Sequence, residues 1–146
     1  MNEPKGTSLQ KLRVVFDTNV LISAAILKNS ISAKAFRHGL ENFALVHSGA
    51  TFAELAEVLE RPKLAKYLNE LEREAFLSLV AQASLPVDVR SSITDCADPK
   101  DNKFLELAID ANATIIVSGD AHLLTLHPYH AVSIVSPAVF AQLVNE

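Results

Sequence analysis

Cysteine, aromatic residues and long apolar runs are all scarce in this chain. Cys96 is the only cysteine, so an intrachain disulfide is excluded and a reducing, cytoplasmic setting is expected. The lone thiol is expected to pack as a small apolar group. No apolar run reaches the roughly 18 residues needed to span a bilayer, so no membrane helix is expected. Residues 1–10 are polar and lack the apolar centre of a signal peptide. They are expected to form a flexible tail, with residues 11–146 as one domain. Tryptophan is absent and aromatics make up 6%, so no base-stacking surface stands out. Repeats, low-complexity tracts and dividing linkers are also missing.

Basic residues are missing from the last third, since no Lys or Arg follows Lys103. The net charge of −4 argues against a uniformly basic nucleic-acid binder. Cations gather earlier, at Lys28, Lys34, Arg37, Arg61, Lys63 and Lys66. These six are candidates for phosphate contacts on a basic face beside an acidic pocket. For each alone, a solvated helix surface is the plainer reading.

What the chain does have is a 49% hydrophobic content over 146 residues, enough for one real core. Residues 12–16 form a short β-branched apolar run, read as a buried strand, with a helix over 18–27. A helix over 30–40, stopped near Gly39, precedes a strand over 43–47. Ser48 is a candidate cap for a helix running to about Glu60, and Pro62 restarts the chain as a short helix. A further helix runs from Asn69 or Glu70 to about Ser84, followed by a weak strand candidate over 86–89. Asp98 and Pro99 suit an N-cap and first helical position, with the helix continuing to Asn112. Strands over 114–118 and 132–135 follow, with a short helix over 121–124 between them and a last helix opened by Pro137. Strands alternating with helices imply an α/β fold: three layers, α/β/α, around a parallel sheet of four to five strands.

Three aspartates stand at strand ends or helix starts: Asp17, Asp101 and Asp120. Taken singly, each reads more simply as an N-cap whose charge suits the positive helix end. Phe104, Ala108 and Ala111 share a helix side with Asp101, which aims its carboxylate toward the sheet. Asp17 and Asp120 both follow apolar strands and should share one edge of the sheet, where α/β folds build ligand sites. Glu54 lies opposite Phe52 and Leu55 on its helix, so periodicity does not separate it from solvent-facing Glu57 and Glu60. His122, His127 and His130 cluster in sequence, but Pro128 interrupts any helix aligning them, and loop or surface roles are the plainer reading. His47 ends an apolar strand and reads as a structural histidine.

Four segments in order resemble the PIN-domain nuclease family, and more narrowly its VapC-like toxin components of toxin–antitoxin systems. They are Val15-Phe16-Asp17-Thr18-Asn19-Val20-Leu21, Thr51-Phe52-Ala53-Glu54-Leu55, Asp101-Asn102-Lys103-Phe104-Leu105-Glu106 and Ile116-Val117-Ser118-Gly119-Asp120. The resemblance spans about residues 12–136 and implies a PIN-like fold. It implies that Asp17, Glu54, Asp101 and Asp120 are catalytic acids holding Mg²⁺ or Mn²⁺, with Asn19 and Ser118 in support. Thr18 is a further candidate, through a hydrogen bond to a metal water. Many relatives carry another acid two residues after the last Asp; here that position is His122, which leaves the ligand set of a second metal open.

The implied activity is metal-dependent endoribonuclease cleavage of RNA by activated water. Bare clustered acids would repel an RNA phosphate and raise one another's pKa, and a hard divalent cation relieves both. The implied partners are an RNA substrate, a cognate antitoxin protein and a second copy in a homodimer. The apolar excess over residues 64–79 suits a dimer or antitoxin surface, and core packing explains it as well. Two alternatives stand beside this. One is a non-catalytic PIN-like module binding RNA or a partner. The other is a phosphatase-like phosphotransfer enzyme, disfavoured because Asn19 stands where such an enzyme wants a second Asp and because no late lysine exists.

Overall fold

The computed structural model describes residues 11–144. The expected tail over residues 1–10 lies outside the described residues. Five strands form one sheet: β1 (Arg13–Phe16), β2 (Ala44–His47), β3 (Ser84–Pro86), β4 (Ile115–Val117) and β5 (Ser133–Val135). Their order is β3-β2-β1-β4-β5, and every pairing is parallel. Among the described residues the helices are α1 (Thr18–Ile26), α2 (Ile31–Asn42), α3 (Gly49–Leu59), α4 (Glu70–Ala83), α5 (Asn102–Asp110), α6 (Ala121–Leu124) and α7 (Pro137–Phe140). Short 3₁₀ turns occur at Pro62–Leu64 and Pro99–Asp101.

The three layers follow from side-chain alternation along the strands. Val14, Phe16, Leu45, Ile115 and Val117 enter one core with α1, α2, α3, α4 and α7. Val15, Val46, Ile116 and Ile134 enter the opposite core with α5 and α6. Both faces of the central strands are thus buried, which is why β1 and β4 read as continuous apolar runs.

Two expectations are corrected in detail. The third strand is Ser84–Pro86, earlier than the 86–89 stretch, and it begins where α4 ends. Gly39 does not stop α2, which continues to Asn42. It is buried, and a Cβ there would lie 2.8 Å from Cε1 of Phe16, so the missing side chain lets α2 approach β1. Phe16 in turn packs edge-on against Phe36 and Phe140.

Candidate functional site

β1 and β4 are adjacent and parallel, so their carboxyl ends lie side by side. Asp17 follows β1, and its amide donates to the Val117 carbonyl at 3.0 Å, continuing the ladder. Its Oδ1 caps α1 by accepting from the Val20 amide at 3.0 Å, and its Oδ2 accepts from the Ser118 hydroxyl. That hydroxyl also accepts from the Asp120 amide at 2.9 Å. One buried serine therefore ties the two strand-end aspartates together. Asp17 is 4% exposed. Burial raises its carboxyl above the ordinary value; the bonds from Ser118 and Val20 pull it back, and the charges of Asp120 and Glu54 add to the rise.

Asp101 arrives from the second core. Asp98 caps the turn at Pro99–Asp101 by accepting from the Lys100 amide, and the Cys96 amide bonds to Asn102 Oδ1 at 2.9 Å. Asp101 itself makes no side-chain capping bond. Its Oδ2 is buried without a hydrogen-bond partner. Burial, then the charge of the neighbouring Asp120 carboxylate and a side-chain hydrogen bond shared with it, push its carboxyl up to about 7, with smaller contributions from the charges of Asp98 and Asp17. The capping explanation thus holds for Asp17 and for Asp120, which accepts from the His122 amide at 2.7 Å, but not for Asp101.

Glu54 sits in α3, whose start is fixed by a reciprocal Ser48–Thr51 capping box. Its Oε1 accepts from the Thr18 hydroxyl at 2.6 Å, and its Oε2 lies 3.3 Å from Lys103 Nζ. Its side chain is 25% exposed. Glu57, one turn on, is 62% exposed and pairs with Arg61 in solvent. Tertiary contact separates two glutamates that periodicity does not.

All four acids line one cleft of about 190 Å³, together with Thr18, Asn19, Arg61, Asp98 and Lys100. Asn19 also borders a second polar cleft with Asp17, Ser23 and Asp120. Among the described residues, the set whose ligand atoms all lie within 4.8 Å of one another is Asp98, Asp120 and His122, at the rim, rather than the predicted quartet. Asp98 and Lys100 at this cleft, and Lys103 beside Glu54, lie outside the expected site residues; alternating charge through Asp98-Pro99-Lys100-Asp101-Asn102-Lys103 is the sequence signal that marks them.

Of the six predicted phosphate contacts, Arg61 reaches this cleft. Lys28 borders a separate hollow with Leu68, Glu72 and Phe76, and Arg37 donates to the Lys28 carbonyl. Lys34, Lys63 and Lys66 are exposed and do not line the cleft. His127 Nδ1 accepts from the Ile134 amide, which commits that ring to the fold. His47 contacts the Ser84 hydroxyl, and burial lowers its pKa. Cys96 is buried in the second core. No helix of the described residues is long and apolar enough to cross a membrane.

A family model described as PIN domain matches residues 13–122. The chain belongs to the PIN domain family. It is 35% identical over 121 residues to the uncharacterized protein MJ1680 of Methanocaldococcus jannaschii, covering 80% of this chain and 76% of that one. Among solved structures, VapBC2 from Rickettsia felis, bound to a DNA fragment from their promoter, matches this PIN domain with a TM-score of 0.58. That match covers 86% of this chain and 98% of the other at 12% identity, a likeness of fold alone.

Proposed function

We propose that this PIN domain is a metal-dependent endoribonuclease, with Asp17, Glu54, Asp101 and Asp120 as its catalytic acids. The observation that carries the reading is the unpartnered, buried Asp101 Oδ2 beside the Asp120 carboxylate, in a cleft that also holds Asp17 and Glu54. A buried acceptor without a donor is costly, and a cation supplies what no protein group there does. The quartet offers only carboxylate oxygens, the donor set that suits Mg²⁺ or Mn²⁺.

Such a cation, when bound, polarises a phosphoryl oxygen and lowers the pKa of water. The chain's own residues do the positioning. Ser118 holds Asp17 and Asp120 in register, and Thr18 orients Glu54. Arg61 and Lys100, at the same cleft, are suited to phosphate contacts that place RNA without reading its sequence. Asn19 borders both polar clefts and is suited to a strand passing between them.

The reading extends to a toxin role in a toxin–antitoxin pair. The Rickettsia felis neighbour is a VapBC2 assembly with promoter DNA, which supports a cognate antitoxin as partner for this chain. Exposed Tyr67, Leu71 and Leu79, within and beside α4, suit an antitoxin or homodimer contact. A cytoplasmic location accords with the buried, unpaired Cys96.

The test is cleavage of single-stranded RNA with Mg²⁺ or Mn²⁺, with EDTA, and by Asp17→Asn. Cleavage that needs the metal and is lost in Asp17→Asn supports the enzyme. RNA binding with no cleavage under any metal supports the non-catalytic module instead.

A further inference from the structure

The four acids are not equally compensated. Glu54 has both carboxylate oxygens engaged: Oε1 by the Thr18 hydroxyl at 2.6 Å and Oε2 by Lys103 Nζ at 3.3 Å. The Lys103 side chain is 22% exposed, and its ammonium also donates to the Lys100 carbonyl one turn back. Asp17, Asp101 and Asp120 pair with no lysine or arginine among the described residues. We infer that Lys103 is a built-in, displaceable counter-ion for Glu54: a positioning residue that competes with the divalent cation for Glu54 Oε2.

The inference rests on the metal-dependent reading of the cleft and adds the control of its loading. A dication and an ammonium on one carboxylate oxygen repel each other, and the half-buried setting screens that repulsion less than open solvent would. Asp17, Asp101 and Asp120, which no ammonium or guanidinium neutralises, would hold such a cation without Glu54, and Glu54 would be free to contribute once Lys103 swings away, which its flexible four-carbon stem allows. Thr18 holds the other oxygen throughout, so Glu54 stays aimed at the cleft when the lysine leaves. Lys103 thus neutralises a carboxylate in the metal-free chain at the expense of metal affinity.

The experiment is Mn²⁺ binding to the full chain, followed by calorimetry or by loss of the free Mn²⁺ electron paramagnetic resonance signal. Lys103→Met should bind Mn²⁺ about tenfold more tightly, and Lys103→Gln should behave alike, while Lys103→Arg stays near the wild type. The gain should vanish when Lys103→Met is made in Glu54→Gln, because the competed oxygen is gone. Lys100→Met, which removes a cation from the same cleft without touching Glu54, should gain clearly less. Unchanged or weaker Mn²⁺ binding in both Lys103→Met and Lys103→Gln overturns the inference. So does an equal gain in Lys100→Met, or a gain that survives Glu54→Gln. Wild-type protein that binds no Mn²⁺ refutes the metal-dependent function itself, a failure distinct from wild-type binding that Lys103 does not modulate.

Discussion

The three-aspartate half of the cleft and its helical half, around Glu54 in α3, solve different electrostatic problems. Asp17 and Asp120, at the strand ends, and Asp101, at the start of α5, crowd together; the first two have hydroxyl and amide donors, and none of the three pairs with an ammonium or guanidinium. On the helical side, Glu54 has Thr18 and Lys103, and Arg61 borders the same cleft. The first half raises carboxyl pKa values, up to about 7 at Asp101. The second is close to charge-balanced as built. Under the proposed metal-dependent function, the demand for a dication would arise chiefly from the three aspartates, and Glu54 would complete a site whose charge they set.

The largest expected effect follows from that asymmetry. Metal stabilisation of developing charge is worth several kcal/mol, so Asp17→Asn should lower RNA cleavage by about 10³-fold. Glu54→Gln should cost about tenfold less than that, since a ligand already paired with an ammonium contributes less to holding the cation. Turnover assays across a Mn²⁺ titration compare them directly, and equal losses at limiting Mn²⁺ would erase the distinction between the halves. Ser118→Ala is expected to come next. It leaves every acid in place but unties Asp17 from Asp120, and loss of such an outer support typically costs about 10–100-fold in metal affinity or activity. Mn²⁺ titration of Ser118→Ala measures this.

A third effect belongs to the three-aspartate half alone. The Asp101 carboxyl titrates near 7 when folded and near 3.8 in its ordinary state, so between those values the folded chain holds an extra proton. Folding stability contributed by this group is therefore greatest at low pH and declines as pH rises from about 4 to about 7. In thermal melts with EDTA, Asp101→Asn should flatten that decline. Saturating Mn²⁺ should offset it in the wild type, because the cation favours the ionised form. A profile unchanged by either would mean that Asp101 is already relieved by solvent.

The legible and illegible parts of this molecule divide along a physical line. Strand-end aspartates were readable because β1 and β4 are apolar on both faces and stop abruptly, and a parallel sheet brings such stops to one edge. Gly39 was misread because a glycine near a helix's end suggests termination, whereas its role here is set by the Phe16 ring across the layer. Glu54 and Lys103 were opaque to spacing for the same reason. Their partnership joins α3 to α5 across 49 positions of chain, and no local period carries information about that contact. The basic candidates were the poorest guide, since exposure looks alike in sequence whichever surface a lysine faces.

Arg61 gives the smallest predicted effect and the finest test of the comparison. It borders the cleft from the helical side but spends its guanidinium on Glu57, an exposed pair of little energetic worth. An incoming phosphate can therefore draw it away at small cost. Arg61→Met should weaken single-stranded RNA binding only a few-fold and reduce the slope of log affinity against log salt by about 0.7, the share of one phosphate contact. Lys34→Met, on a surface away from the cleft, should leave that slope unchanged. Equal slopes for the two variants would mean that RNA is held by diffuse charge. A difference confined to Arg61 would mean that the helical half, already balanced without metal, is the half that positions the strand.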